Sequence, residues 1–424
     1  MADPLIGAEP AYDEGDEYRP EPEPIPEPPA WQDGSFRIGI HTSIAGDITG
    51  ALDSAVKLGA NALQIFSASP RMWPRVGSRI AEADAARFRA RRAELGLGPL
   101  VIHDNYLINL ACPDRVMRTR SIQAFHDELV RAVALGADFL VAHPGSGLGT
   151  DREQAISEIA QGMRHAAKGI KLGGLRILVE NTSGMGSSVG ARFEEIKAIL
   201  DQTGDLPMGV CLDTAHTLEA GYDITTSEGL ETTLAAVDRT VGLARVYVLH
   251  VNNSKTPLGS RVDRHEHIGR GKIGLAAFGR ILNHPRLGPG LEGLPGRAFL
   301  LETPIDRPGD DRRNVRALWD LVGIPAKQAP KAENGFSMLK AKKRSKASTQ
   351  RAQRKKKKSV KKKALIKRKK VVKKASTSIL IKKTAKKVAK RKLAYKKTPK
   401  TITPKSTIKY KVTKPVAKKA AKKK

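Results

Sequence analysis

The sequence has little of what marks an exported or membrane-spanning protein. Cys112 and Cys211 are its only cysteines in 424 residues, which excludes a disulfide framework and predicts a reducing compartment. No run of about 18 apolar residues appears, so we expect no membrane span. The opening MADPLIGAEP lacks the basic and apolar segments of a secretory signal. These absences predict a soluble cytoplasmic protein.

Acidic residues are absent from one end of the chain and concentrated at the other. Residues 340–424 hold 39 Lys and Arg and no Asp or Glu, whereas residues 1–33 hold ten acidic residues and one basic residue. Residues 34–339 hold 36 basic and 33 acidic residues, so the formal net charge of +33 belongs to the tail. We predict a disordered acidic leader at 1–33, a folded domain at 34–325, and a linker with a disordered Lys-rich tail at 326–424.

The Lys-rich tail predicts binding to nucleic acid. Tyr395 and Tyr410 are its only aromatic residues, and its composition is similar to linker-histone and bacterial histone-like tails. Such a cation binds phosphates with strong salt dependence and little sequence information. We expect the tail to tether the protein non-specifically to DNA of the nucleoid. Binding to RNA, or a role in solubility or localisation, is the alternative, and the acidic leader is interpreted as a solvated segment.

Short apolar runs alternate with longer amphipathic stretches through the middle of the chain. The runs lie at 36–40, 62–66, 100–104, 138–143, 176–181, 208–214, 245–252 and 298–303. The stretches between them have apolar residues three and four positions apart and a Gly near the end, which is typical of helices. Buried strands alternating with helices indicate a parallel sheet covered by helices. Eight such units predict an α/β fold, the (β/α)8 TIM barrel.

The third to eighth of these runs each end in a residue that can bind a metal. These residues are His103, His143, Glu180, Asp213 with His216, His250 and Glu302, and the pair Asp263 and His265 lies in the loop after the His250 run. One strand-end histidine is usually structural, but six consecutive strand ends favour a shared site. Strand ends converge at the C-terminal face of a barrel, whereas an open sheet spreads them by about 5 Å per strand. The pattern therefore favours the barrel and predicts a polynuclear metal site.

This set of five imidazoles and four carboxylates suits zinc or manganese. Nine ligands exceed what one tetrahedral ion can use, so two or three ions with a bridging carboxylate are expected. Divalent ions about 3.5–4 Å apart are well suited to hydrolysis of phosphodiesters. The sequence contains neither a GxxxxGKS phosphate loop nor a GxSxG nucleophile elbow, so NTP hydrolysis and serine chemistry lack support.

The segments around these residues resemble the endonuclease IV family of abasic-site endonucleases. The matching strings are HDNYLINL (103–110), HPGS (143–146), VENTSGMGSSVG (179–190), GVCLDTAHTLEAGYD (209–223), LHVNNSK (249–255), GSRVDRHEHIGRGKIG (259–274) and LET (301–303). The resemblance covers about residues 36–323, and every ligand type of the family is present. It implies a TIM barrel with three zinc ions, manganese being the substitute. It also implies that a monomer cuts double-stranded DNA 5′ to abasic sites during base excision repair.

The resemblance also implies a distribution of the ligands among three zinc ions. His103, His143 and a bridging Glu180 would hold the first, Glu180, Asp213, His250 and Glu302 the second, and His216, Asp263 and His265 the third. A hydroxide near Glu180, the residue that we predict to be catalytic, would attack the phosphorus. The products would be a 3′-hydroxyl and a 5′-deoxyribose phosphate, and no protein nucleophile is needed.

Selection of the lesion requires residues outside the metal site, and an abasic nucleotide is flipped out at lower cost than a paired base. Arg71, Tyr106 and Leu107 match family loop positions that enter the DNA near the lesion, and we predict that they contact DNA. Trp73 matches such a position too, but ordinary loop packing is an equal interpretation for Trp73 and Leu107. The segment around Arg71 departs from the more polar form common in the family. His41 is interpreted as a residue that supports the ligands or the fold.

Two other functions remain as alternatives. A metal-dependent sugar isomerase or epimerase shares this barrel type and uses one or two metals at the same end. A nucleoid-packaging protein with an inactive barrel would retain only the DNA-binding tail. The nine-ligand set argues against both.

Overall fold

A computed structural model describes residues 35–75, 77–288 and 297–323. Eight parallel strands form a closed barrel: β1 (Arg37–His41), β2 (Ala62–Phe66), β3 (Leu100–His103), β4 (Phe139–Ala142), β5 (Arg176–Glu180), β6 (Met208–Asp213), β7 (Val246–His250) and β10 (Ala298–Leu301). Their order around the barrel is β1, β10, β7, β6, β5, β4, β3, β2. A short antiparallel pair, β8 (Asn253–Ser254) and β9 (His265–Glu266), follows β7. The predicted TIM barrel is confirmed, and the predicted leader and tail lie outside the described residues.

Helices surround the barrel and connect its strands. They are α1 (Thr49–Leu58), α2 (Glu82–Glu94), α3 (Arg115–Leu135), α4 (Arg152–Ala167), α5 (Phe193–Gln202), α6 (Thr214–Ala220), α7 (Ser227–Thr240), α8 (Leu275–Leu282) and α9 (Asp310–Trp319), with a 3₁₀ turn at Leu243–Arg245. Local sequence sets several ends: the Asp114 carboxylate caps α3 by accepting from the Met117 amide, and α3 ends at the left-handed Gly136. No helix in the described ranges is long and apolar enough to cross a membrane.

The barrel interior contains two successive layers of inward-facing side chains that differ in polarity. The lower layer is apolar and packs as one cluster that includes Val101, Leu178 and Val248. Two residues further along each strand lies a polar residue of the upper layer, because side chains on one face of a strand recur every second residue. Each strand contributes one residue to each layer. Written with the lower residue first, the pairs are Gly39/His41 (β1), Ala62/Gln64 (β2), Val101/His103 (β3), Val141/His143 (β4), Leu178/Glu180 (β5), Cys211/Asp213 (β6), Val248/His250 (β7) and Leu300/Glu302 (β10).

Gly39 is required where β1 closes the barrel. A Cβ at this position would lie 2.4 Å from the Ala62 carbonyl oxygen and 2.5 Å from a methyl carbon of Leu300. The strand therefore approaches its neighbours closely only without a side chain in the lower layer. This brings β1 and its upper residue His41 against the rest of the polar layer.

Candidate metal centre

Glu180 lies at the centre of the upper layer and is completely buried. One carboxylate oxygen, Oε2, lies 3.3 Å from His103 Nε2 and 3.6 Å from His143 Nε2. The other, Oε1, lies 3.0 Å from His250 Nδ1 and 3.3 Å from His216 Nδ1. A single carboxylate thus faces four imidazoles, which suits a ligand shared between metal ions.

The nine residues singled out from the sequence come together in overlapping groups. The groups whose ligand atoms lie within 4.8 Å of one another include His103, His143 and Glu180; Glu180, Asp213, His250 and Glu302; and Asp213, His216 and His265. The Cys211 sulfur also lies within this distance of Glu180 and His250. Asp263 completes the last group, because its Oδ2 lies 3.2 Å from His216 Nε2 and its Oδ1 lies 3.8 Å from His265 Nε2. Asp213 belongs to two groups, whereas the family resemblance implied only one.

Main-chain carbonyls orient two of these histidines. His103 Nδ1 lies 2.9 Å from the Asp104 oxygen, and His216 Nδ1 lies 2.9 Å from the Asn181 oxygen. Because a carbonyl only accepts hydrogen bonds, each ring carries a proton on Nδ1, and Nε2 is the nitrogen that faces the cluster and could bind a metal. This arrangement of a ligand imidazole held from behind is typical of metal sites.

His265 offers a direct test of whether a cation fits. Its Nε2 is buried and has no hydrogen-bond partner within the described residues, and it points to within 3.7 Å of Asp213 Oδ2. A buried polar atom without a partner is costly. A cation between the imidazole and the carboxylate would satisfy both, so the donor set fits a metal.

The carboxylates of Glu180 and Glu302 are held in the ionised form. Burial favours the neutral acid of Glu180, but the imidazoles of His250 and His143 hold its pKa well below the usual value. Burial likewise opposes ionisation of Glu302, yet the His250 imidazole is the main cause that lowers the pKa of Glu302 to about 2. Both groups are therefore available as anionic ligands at neutral pH.

Two asparagines that the sequence analysis did not single out hold the carboxylates in place. Asn252 Nδ2 donates to Asp213 Oδ2 at 2.6 Å and to Glu302 Oε2 at 3.2 Å, and its Oδ1 accepts from the Glu302 amide at 2.8 Å. Asn181 Oδ1 accepts from the Asp213 amide at 2.6 Å. Each asparagine follows a ligand by one or two residues, in VENT and LHVN, so its place beside the strand-end ligands was the available signal.

The predicted DNA-contacting residues occupy different environments. Tyr106 is 60% exposed, Arg71 is exposed and Leu107 is half-buried. Tyr106 lines a cavity of about 280 Å³ together with Asn109, His143, Ser146, Met185, His216 and Asp263. Trp73 instead packs against the core, with the Arg120 guanidinium 4.5 Å from its ring centroid. The structure therefore supports the packing interpretation for Trp73.

One buried side chain joins the two loops that carry these residues. Asn105 Nδ2 donates to the carbonyls of Ser69 at 2.8 Å and Met72 at 3.0 Å in the loop after β2. Asn105 Oδ1 accepts from the Leu107 amide at 2.9 Å within its own loop after β3. This amide fixes the Arg71 loop relative to the Tyr106 loop.

A second histidine–carboxylate group lies near the cluster, formed by His267, Asp306 and Asp310. The Asn314 oxygen accepts from the Ile268 amide, so Asn314 Nδ2 is the group that donates to His267 Nδ1 at 3.1 Å. The His267 proton then sits on Nε2, 3.1 Å from Asp306 and 3.5 Å from Asp310. The ring has no free lone pair for a metal, and the group is a hydrogen-bonded connection between loops.

Comparison with known proteins gives a consistent result. Residues 52–320 match the model of the family described as the xylose isomerase-like TIM barrel. The chain is 49% identical over 294 residues to the probable endonuclease 4 of Solibacter usitatus, which covers 68% of this chain and 97% of that protein. It is 40% identical over 292 residues to the probable endonuclease 4 of Chloroflexus aurantiacus, covering 68% and 98% respectively.

A solved structure agrees with these relatives. The crystal structure of endonuclease IV from Thermus thermophilus superposes with a TM-score of 0.59 at 40% sequence identity. The match covers 67% of this chain and 98% of that chain. Relatives of this identity, matched over nearly their whole length, favour the nuclease over the sugar isomerase or epimerase.

Proposed function

The chain belongs to the endonuclease IV family of DNA repair nucleases, and from that premise we propose a specific reaction for it. The protein would cut double-stranded DNA on the 5′ side of an abasic site, leaving a 3′-hydroxyl and a 5′-deoxyribose phosphate. The observation that carries this proposal is the convergence of nine imidazole and carboxylate side chains around the buried Glu180. The relatives named endonuclease 4 support the DNA substrate.

The proposed cofactor is a set of three zinc ions, with manganese as the substitute. His103, His143 and Glu180 would hold the first ion, Glu180, Asp213, His250 and Glu302 the second, and His216, Asp263 and His265 the third. The position of Asp213 near His265 supports a further role for its carboxylate at the third ion. When bound, clustered divalent ions lower the pKa of water and stabilise charge on the attacking and leaving oxygens of a phosphodiester.

The side chains of the protein would hold the metal ligands in place and shield them from water. Glu180 is the proposed catalytic residue, because its buried carboxylate is shared by the groups on both sides of it. Asn252 fixes the carboxylates of Asp213 and Glu302 through hydrogen bonds. The apolar lower layer closes the floor of the site and keeps water from reaching the ligands from below. No side chain is required to attack the phosphate.

The cavity beside the cluster is the proposed place for the lesion. It is bordered by the exposed Tyr106 and reaches His143, His216 and Asp263. An abasic nucleotide has no base to stack, so it would leave the duplex at lower cost than an intact nucleotide. Arg71 and Leu107 would contact the DNA beside it, from loops that Asn105 holds together.

The Lys-rich tail is proposed to increase the residence of the enzyme on undamaged DNA. Its 39 basic residues in 340–424 would bind phosphates without reading sequence. We propose that the enzyme is a monomer associated with the nucleoid in the cytoplasm. RNA carries the same phosphates and would also bind the tail. Competition between undamaged DNA and RNA for the full chain therefore tests whether the tail acts on DNA.

The reaction is tested with a duplex that contains a single tetrahydrofuran abasic analogue. The full chain, loaded with zinc, should cut this strand 5′ to the analogue and leave an end that a DNA polymerase extends. The matched undamaged duplex should stay intact, and prior treatment with a chelator should abolish incision until zinc is restored. Incision on the 3′ side, or none by the zinc-loaded chain, would contradict the proposal.

A further inference from the structure

Two strands of the barrel carry no predicted metal ligand, yet their upper-layer residues face the candidate metal centre. These residues are His41 on β1 and Gln64 on β2, and Gln64 is completely buried. A buried amide must have its hydrogen bonds satisfied. The partners of Gln64 therefore indicate what this side chain does.

Both the oxygen and the NH₂ group of the Gln64 amide have hydrogen-bond partners. Its Oε1 lies 2.8 Å from His250 Nε2. Its Nε2 donates to Glu302 Oε1 at 2.5 Å and lies 3.1 Å from His41 Nδ1. One side chain thus contacts two proposed ligands of the same metal ion and a third group on β1.

The orientation of this amide follows from its partners. The Glu302 carboxylate only accepts hydrogen bonds, so it requires the NH₂ end of Gln64. The same NH₂ group lies 3.1 Å from His41 Nδ1, which accepts its second hydrogen. The oxygen end of Gln64 must then face His250.

His250 therefore carries a proton on Nε2, and Nδ1 is the nitrogen that would bind a metal ion in the cluster. This Nδ1 lies 3.0 Å from Glu180 Oε1 and 3.3 Å from Glu302 Oε2. The choice of nitrogen is opposite to that in His103 and His216, whose Nδ1 protons bind main-chain carbonyls. His250 needs a side-chain acceptor in place of such a carbonyl, and Gln64 supplies it.

We propose that Gln64, oriented by His41, is a positioning residue that sets the tautomer of His250 and aims Glu302 at the shared metal ion. This inference rests on the proposed metal centre, but not on the DNA substrate. Partners that orient ligands in this way typically change metal affinity about 10–100-fold when they are removed.

The test measures binding of zinc alone, by competition with a chromophoric chelator, on the full chain. Gln64→Met keeps the length of the side chain but removes its donors and acceptor. We expect about 10–100-fold weaker binding of one ion, with the remaining ions bound as in the unaltered protein. The matched control is Gln161→Met, which removes an exposed amide on α4 and should leave zinc binding unchanged.

Variants of His41 test the second half of the proposal. His41→Phe removes the acceptor and should weaken the same ion, whereas His41→Asn keeps an amide oxygen and should weaken it less. Combining His41→Phe with Gln64→Met should add little to either change, because both act through one amide. Additive losses of affinity would show that His41 does not act through Gln64.

A spectroscopic measurement addresses the tautomer directly. In zinc-loaded protein with ¹⁵N-labelled histidine, His250 should carry its proton on Nε2, and His103 and His216 should carry theirs on Nδ1. A proton on Nδ1 of His250, or zinc binding by Gln64→Met within twofold of the unaltered chain, would overturn the inference. If the chain binds zinc as expected but does not cut abasic DNA, the proposed function fails and the inference stands.

Discussion

The two layers inside the barrel differ in chemistry although they are built by the same strands. The lower layer is a buried cluster of Val, Leu, Ala and similar residues. The upper layer lies two residues further along each strand. It consists of four histidines, a glutamine and three acidic residues. A shift of two residues along each strand therefore separates the packing core from the candidate metal centre.

This contrast explains how so many ionisable groups can be buried together. The lower layer fills the barrel and fixes the strand spacing, so the upper side chains have little freedom to move apart. Carboxylates such as Glu180 stay ionised there only because imidazoles surround them. The two layers should therefore respond very differently to substitution.

The largest effect is expected from Glu180→Gln, which removes the charge at the centre of the upper layer. A neutral amide cannot replace the shared anionic ligand, so incision of an abasic duplex should fall on the order of 10³-fold, equivalent to about 4 kcal/mol of transition-state stabilisation. The single-turnover rate measures this. The control in the lower layer is Val141→Ala, which should change the rate less than about twofold while it lowers stability by roughly 2 kcal/mol. Comparable rate losses in both variants would remove the distinction between the layers.

Removal of metal should lower the thermal stability of the chain. Ions that bind only the folded state stabilise it by about 2.7 kcal/mol when their concentration is 100 times the dissociation constant. Scanning calorimetry with and without chelator should therefore show a fall in Tm of several degrees, reversed by zinc. An unchanged Tm would mean that the upper layer is stable without a cation.

A smaller effect is expected in the loops that border the site. Tyr106→Ala removes an exposed ring beside the cavity, so it should raise the KM for an abasic duplex about tenfold, equivalent to the 1–3 kcal/mol of one stacking contact. Trp73→Ala removes a packed ring and should lower Tm more than it changes KM. The reverse pattern would show that Trp73, and not Tyr106, binds the DNA.

The smallest effect on incision is expected from deletion of residues 340–424. Because the tail carries charge and none of the proposed ligands, incision at low salt and saturating substrate should change less than about twofold. Binding to undamaged DNA should weaken, and its salt dependence should flatten. Filter binding over a salt series measures both. Loss of incision under these conditions would make the tail part of the active site.

The strands and the proposed ligands could be predicted from sequence because both are local patterns. Each apolar run ends where the inward face becomes polar, and closure of a parallel barrel brings those ends together. His103, Glu180 and His250 were therefore recognisable one by one. Their overlap in space, including the second contact of Asp213, depends on strand register across the barrel and became visible only in the structure.

The supporting amides were harder to predict, because Asn and Gln have many roles in proteins. Gln64 stands within an apolar run in a strand without ligands, and Asn105 stands in a loop. Their partners come from strands or loops distant in the chain, as for Gln64 and Glu302. The two-residue step from Ala62 to Gln64 was the one local signal that the upper layer extends to β2.

Titration of the metal-free full chain with zinc, followed by both bound metal and incision of an abasic duplex, tests the account most directly. If the upper layer is a trinuclear centre, incision should appear only as the cluster fills and should reach its limit at about three bound ions per chain. Full incision by the metal-free chain, or a limit reached at one ion, would contradict it.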